Sequence, residues 1–354
     1  MRKPYTLFVP GPVEIPPRAI KELSKPLLYH REEKFSRLLS ETINYLRLLF
    51  FTRGKVFILT ASGTGAMEAC VQNLVSRYDR TLVISYGVFG ERWKELLWRY
   101  GAYVDEVAYP YGKSPPLAEI ERKIRTNDEI KFIFTTLTET STGMVANIKG
   151  IGEIAKREGK ILVVDAICGL GADEFYMDKW NVDVVCGASQ KALASPPGIS
   201  FLAINEKAWE AVEKAKSPRF YFDLRNYERF LTNYQTPYTP AILTLYAFHY
   251  SLKRFLSQGV KKLWREHKER ASLFRAQLGD VEYLPDSPSN ALTVIKMPEG
   301  KESTKIIKEI KERYKILLSD GQKTLKGKII RVGHMGNLKK AQLLKVAAIL
   351  KRYL

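Results

Sequence analysis

Lys191 lies in Gly187-Ala188-Ser189-Gln190-Lys191-Ala192, directly after a short apolar run, with Pro196-Pro197-Gly198 beyond it. Upstream, Asp165 closes a second apolar run, Lys160-Ile161-Leu162-Val163-Val164-Asp165. An amine able to condense with an aldehyde and a carboxylate able to hold a protonated ring nitrogen are the pair an enzyme needs to use pyridoxal phosphate as an electron sink. In Thr60-Ala61-Ser62-Gly63-Thr64-Gly65-Ala66-Met67-Glu68 an apolar run passes into a helix-like one. Small residues at such a junction leave backbone N–H groups and hydroxyls free to face an anion, so this is a candidate phosphate cup. It lacks the Gly-Lys-Ser/Thr ending of a nucleotide-binding loop. Each feature alone has an ordinary explanation: a solvated lysine, a helix-capping aspartate, a capped turn. Their combination is much less easily explained by structure alone.

The elements that must position these residues alternate. Val56–Leu59 reads as a buried strand and Gly65–Val75 as a helix; Thr81–Ile84 and Phe89–Tyr100 repeat the order, and Lys131–Phe134, Ile151–Arg157 and Ile161–Val164 continue it. Strands separated by helices of this length imply βαβ units and a mainly parallel sheet covered on both faces. Asp183–Cys186 and Ile199–Ala203 follow one another without a long helix, so part of the sheet is expected to turn antiparallel. In such sheets ligands bind beyond the carboxyl ends of the strands, where Asp165 and Lys191 fall. The proline-rich start, over residues 1–20, reads as an extended arm, and 217–240, rich in aromatics and prolines, as a surface loop or interface segment. Helices are expected over 241–256 and 260–278. A smaller unit follows, with a strand over 291–296, a helix over 303–314, strands near 316–318 and 328–332, and a closing helix over 338–353. The expected organisation is an arm (1–20), a large domain (21–256) and a small C-terminal domain (257–354).

Composition limits the function classes. The 354 residues, 45% apolar and 11% aromatic, suffice for two packed units. No apolar run reaches the ~20 residues of a membrane span, and no signal-like block opens the chain, so a cytoplasmic address is the expectation. Cys70, Cys168 and Cys186 lack the paired spacing of a disulfide or zinc framework and are expected to be buried, reduced thiols. His30, His249, His267 and His334 are scattered, which gives a metal centre little support. The net charge is +19, and residues 250–354 carry 24 basic and 10 acidic side chains, a net +14. A nucleic-acid surface is one reading of such a stretch. The better one is the wet face of amphipathic helices, because the charges fall at helical spacing beside apolar residues, as in Lys305-Ile306-Ile307-Lys308-Glu309-Ile310-Lys311.

Read in order, further motifs join these: Pro10-Gly11-Pro12, Gly87-Val88-Phe89-Gly90-Glu91-Arg92, Glu139-Thr140-Ser141-Thr142-Gly143, Gln235-Thr236-Pro237-Tyr238-Thr239-Pro240, and Gly327-Lys328-Ile329-Ile330-Arg331-Val332-Gly333-His334-Met335-Gly336. With them the chain resembles the class V, fold type I pyridoxal-phosphate aminotransferases over nearly its whole length, within the alanine–glyoxylate and serine–pyruvate group. The resemblance implies an α/β fold of type I: a large domain with a mainly parallel mixed sheet sandwiched by helices, and a smaller α+β domain. It further implies that Lys191 joins pyridoxal 5'-phosphate covalently and moves the α-proton, while Asp165 keeps the ring nitrogen protonated. Phe89 would stack on the ring where relatives often carry tryptophan, Ile167 would pack on the other face, and Thr140 or Ser141 would bond the ring hydroxyl. Ser62, Gly63, Thr64 and Gln190 would hold the phosphate, joined by Thr236 and Thr239 of a neighbouring subunit, which implies a homodimer with shared active sites. Arg331 would clamp the substrate carboxylate, and Gly11 would let the arm's backbone pass close to the substrate.

The function implied is transfer of an amino group from alanine or serine to glyoxylate or pyruvate by a ping-pong cycle. Phosphoserine, aminoethylphosphonate and ureidoglycine transamination are alternatives on the same scaffold, with His30-Arg31 as a candidate second anion site. A cysteine desulfurase would need a reactive cysteine late in the chain, and none follows Cys186. A basic nucleic-acid-binding relative that had lost catalysis would not be expected to keep Lys191, Asp165 and Arg331 together. Two departures from the family pattern, Ile167-Cys168-Gly169 and His30-Arg31-Glu32-Glu33-Lys34-Phe35, are expected to lie outside the core chemistry.

Overall fold

A computed structural model describes residues 5–354, so the first four residues of the expected arm lie outside it. The largest sheet has seven strands, in the spatial order Lys55–Leu59, Ser200–Ile204, Val184–Ala188, Ile161–Asp165, Ile130–Thr136, Arg80–Ser85 and Tyr103–Ala108. Ser200–Ile204 runs antiparallel to both neighbours and the other pairs are parallel. The antiparallel turn was expected from the missing helix between 186 and 199, because only a short return is possible there. Both faces are buried, and successive side chains alternate between two cores: Leu162 and Val164 pack on one side with Leu82 and Ile84, Val163 on the other with Val83 and Phe57.

A second sheet of three strands joins Leu292–Lys296, Ile329–Gly333 and Ser319–Asp320, all antiparallel. Helices Val260–Leu278, Ser303–Tyr314 and Lys340–Leu350 pack around it through Phe274, Ile310 and Leu343. The arm docks here, with Thr6–Leu7 pairing in parallel with Ile316–Leu317 and the Gly333 N–H donating to the Phe8 carbonyl at 2.6 Å.

Two expectations need correction. The arm is not extended throughout, since Pro17 opens a short helix, Pro17–Glu22. Proline is tolerated at a first helical position because its missing N–H would have no acceptor there. The 217–240 segment also contains a helix, Leu224–Leu231, capped by the Asp223 carboxylate and anchored by buried Leu224 and Tyr227.

Candidate active site

The loops that leave the carboxyl ends of the parallel strands converge. Asp165 ends its strand and is 3% exposed. Its carboxylate accepts the Ile167 N–H at 2.8 Å, so it caps a turn rather than a helix. Burial pushes its pKa up to about 7, with buried Glu139 adding to the rise and Arg92 and Lys191 opposing it.

Lys191 follows the Val184–Ala188 strand by a tight turn held by the Ser189 hydroxyl on the Pro196 carbonyl at 2.6 Å. Its ammonium donates to the Pro10 carbonyl at 2.8 Å. Burial lowers its pKa, with Arg331 and Arg92 acting in the same direction and Cys168 and Asp165 against it. The lysine is thus driven toward the neutral amine that a base requires. Gly11 has φ +127°, and a Cβ there would lie 2.6 Å from Lys191 Cδ and 2.8 Å from Nζ. Only glycine admits the arm this close, and what the arm approaches is Lys191 itself.

The cup forms at the helix Gly63–Leu74, whose first-turn N–H groups have no intrahelical acceptor and receive no side-chain cap from Ser62. A Cβ on Gly63 would fall 2.7 Å from Ile167 Cδ1, so the helix start lies directly against Ile167. Gln190 Oε1 is buried without a hydrogen-bond partner among the described residues. Phe89 stands half-buried in the first turn of Val88–Arg99, with the Arg92 guanidinium 4.6 Å from its ring centre.

Glu139 went unassigned in the sequence, yet it organises this corner. Fully buried, its carboxylate accepts the N–H groups of Phe89 (3.0 Å) and Gly90 (2.9 Å) on one oxygen, and the N–H (3.1 Å) and hydroxyl (2.6 Å) of Ser141 on the other. It caps the Phe89 helix from fifty residues away. The only local signal was its place two residues before Ser141. The Ser141 hydroxyl also accepts the Val88 N–H at 3.0 Å, which commits it to this network.

Arg331, 8% exposed, donates from Nε to the Asp320 carbonyl at 2.8 Å and from Nη1 to the Thr140 carbonyl at 3.2 Å, so its fork is aimed from the small sheet toward the 139–141 loop. Burial lowers its pKa while nearby Cys168 and Glu139 oppose the shift. Cys168 was expected outside the core chemistry, but the structure sets its buried thiol close enough to Lys191, Asp165 and Thr140 for each to act on it, and burial pushes its pKa up to about 11. All three cysteines are buried and free.

Arg31 is not an open anion site. It donates to Gln235 Oε1 (3.3 Å) and to the carbonyls of Thr236 (2.6 Å) and Pro237 (3.3 Å), and lies 4.9 Å from the Phe230 ring centre. It clamps the segment that carries Thr236, whose buried hydroxyl bonds the Tyr238 carbonyl at 2.8 Å, and Thr239, which is exposed.

These residues fit pyridoxal phosphate. A desolvated amine, a buried carboxylate with no cation bonded to it among the described residues, an uncapped helix start and an unpartnered amide oxygen are donors and acceptors awaiting a group that carries an aldehyde, a basic ring nitrogen and a phosphate. The sequence pattern of the aminotransferase class-V family matches residues 23–343. An uncharacterised aminotransferase of Methanocaldococcus jannaschii is 34% identical over 93% of this chain and 87% of its own. An L-aspartate–glyoxylate aminotransferase of Paracoccus denitrificans is 31% identical over 96% and 88%. The crystal structure of alanine–glyoxylate aminotransferase from Nostoc sp. superposes with a TM-score of 0.94 at 26% identity, covering 99% of this chain and 95% of that one. With the fold, the site and these relatives in agreement, the chain belongs to the class V aminotransferases and is a pyridoxal 5'-phosphate-dependent aminotransferase.

Proposed function

We propose that this aminotransferase moves the amino group of a small amino acid, alanine or serine, to glyoxylate or pyruvate in a ping-pong cycle. The observation that carries the reading is the convergence of Lys191, Asp165 and Arg331 in one cleft, Asp165 and Arg331 buried and Lys191 half-buried, with the Lys191 amine close enough to both for their charges to act on it. When bound, the cofactor supplies the conjugated ring that accepts the electron pair left at the substrate's Cα. Lys191 Nζ, held by the Pro10 carbonyl and desolvated, takes the Cα proton and delivers it again. The Asp165 carboxylate keeps a proton on the ring nitrogen, and that cation draws Asp165 back to its ionised form. Arg331 meets the α-carboxylate with a planar fork whose orientation the Asp320 and Thr140 carbonyls fix.

Thr140, or Ser141 beside it, serves the ring hydroxyl; Phe89 and Ile167 flank the ring; Ser62, Gly63, Thr64 and Gln190 take the phosphate. Thr236 and Thr239 reach the phosphate of a second copy, which makes the working unit a homodimer, and the exposed aromatic surface of Phe220 and Tyr221 supports such an interface. The protein acts in the cytoplasm; among the described residues no helix is long and apolar enough to cross a membrane. The arm (1–20), large domain (21–256) and small domain (257–354) meet at this cleft. Because Arg31 is occupied, a small donor side chain suits the site better than one with a second anion bound there. The test is a panel of amino donors against glyoxylate, pyruvate and 2-oxoglutarate, with the visible absorbance of the loaded protein followed as each donor is added. Alanine or serine with glyoxylate or pyruvate should turn over fastest, and Lys191→Ala should turn over none. A strict requirement for another donor class, or turnover by Lys191→Ala, would overturn the reading.

A further inference from the structure

Arg92 has no salt-bridge partner among the described residues. Its neighbours on the Val88–Arg99 helix are satisfied: Glu91 by Tyr111 at 2.5 Å and by Lys323, Lys94 by Glu106. Among the described residues no carboxylate pairs with Arg92, and the one acceptor its guanidinium meets is Thr64 Oγ1, at 3.0 Å from Nη1. Thr64 belongs to the first turn of the Gly63–Leu74 helix, where the free N–H groups point. The guanidinium also lies over the Phe89 ring and close enough to Asp165 and Lys191 to lower the pKa of each. A guanidinium has five donors, and this one spends a single donor on the described residues.

The rest of the cup is neutral. Ser62, Gly63, Thr64 and Gln190 offer hydroxyls, an amide and backbone N–H groups, while the other two cations of the cleft, Lys191 and Arg331, bond to the carbonyls of Pro10 and of Asp320 and Thr140. A phosphate monoester near pH 7 carries close to two negative charges. A helix start contributes the equivalent of roughly half a positive charge, which leaves most of that charge unbalanced.

We propose that Arg92 is a phosphate ligand of the cofactor: Thr64 and Phe89 pre-orient its guanidinium, and its free donors neutralise the phosphate at the mouth of the Gly63–Leu74 helix. Arginine suits the task because its fork matches two phosphate oxygens and its flat face stacks on an aromatic ring. The inference rests on the cofactor reading of this cleft and adds to it a residue selected by its charge.

The experiment compares two ligands that differ only in the phosphate. Cofactor-free protein is titrated with pyridoxal phosphate and with pyridoxal, and inorganic phosphate is used as a competitor. In Arg92→Gln the Kd for pyridoxal phosphate should rise about tenfold or more, as expected when one charge-assisted pair is lost. The Kd for pyridoxal should change by less than about twofold, and competition by inorganic phosphate should weaken. Arg92→Lys, which keeps the charge but not the fork, should lie between the two and provides the same comparison if the glutamine variant folds poorly. Equal weakening of both ligands would show that Arg92 serves the ring or the general architecture, and no weakening would show that it serves neither; either result overturns the assignment. Loss of turnover with alanine or serine at unchanged pyridoxal phosphate affinity would also overturn it, by making Arg92 a substrate contact. If the unaltered protein binds neither ligand, the cofactor reading of the cleft fails first and the role of Arg92 with it.

Discussion

At the scale of single residues, the cleft places ionisable groups where water is scarce and lets their neighbours decide which form prevails. Asp165 shows the consequence for stability. Its folded pKa of about 7 lies above the ordinary 3.8, so the folded cofactor-free chain holds the proton more tightly than the unfolded one. Its contribution is therefore most favourable below pH 4, is lost as pH rises toward 7, and is constant above that. Asp165→Asn, which cannot ionise, should stabilise the cofactor-free protein at pH 8 by about 2–4 kcal/mol while removing most transaminase activity. Urea melts at pH 5 and pH 8 check this: the gain should shrink at the lower pH, and a gain of equal size at both would contradict the assignment. Arg331 gives the complementary case. Arg331→Lys keeps the charge but loses the fork aimed by two carbonyls, and kcat/KM should fall roughly tenfold to a hundredfold, mostly through KM. Initial-rate kinetics over a range of donor concentrations would expose a pure kcat effect, which the clamp does not predict.

Between the residue and the molecule stand the elements, and here the partner of a loop group decides more than its sequence neighbours do. Glu139 holds the Phe89 helix start, so Glu139→Gln should cost about 1–3 kcal/mol: an amide keeps one acceptor oxygen and turns a donor group toward N–H groups that need an acceptor. Thermal unfolding measures the loss, and a neutral result would mean that water substitutes at the cap. None of this was legible in sequence, because the carboxylate and the amides it serves are fifty residues apart and only the folded sheet brings them together. Asp165 and Lys191 were legible because apolar runs that end in a polar residue mark strand ends, and strand ends in a parallel sheet converge. The Ser303–Tyr314 helix was legible from its period. The Leu224–Leu231 helix was masked by the aromatics and prolines around it, though Asp223 ahead of it is a helix-start signal. Arg31 looked like a free cation for a similar reason, since the carbonyls it binds lie more than two hundred residues away.

The whole molecule joins these parts through that same Arg31 clamp. If Thr236 and Thr239 complete the site of a second copy, loosening their segment should damage cofactor retention in a way no contact within one copy would predict. Arg31→Ala should cost the fold about 1–3 kcal/mol and raise the cofactor Kd several-fold, with the proposed dimer still visible by light scattering at micromolar concentration. A variant that loses stability but keeps unaltered cofactor affinity would separate Arg31 from the proposed shared site. The small sheet meets the large one through Arg331 on the Thr140 carbonyl and through Asp173, buried, which accepts from Thr138 at 2.7 Å and from the Asn290 N–H at 2.8 Å. Arg331 and Lys191 are thereby held in one frame.

The pairing of Thr6–Leu7 with Ile316–Leu317 also sets a timetable. A ribosome must produce some three hundred further residues before that short strand meets its mate, so the arm that carries Pro10 and Gly11 is anchored over Lys191 only after Leu317 has been made. Such a distant contact is slow to form, and the Lys191 amine should therefore be enclosed later than the large sheet around it is assembled.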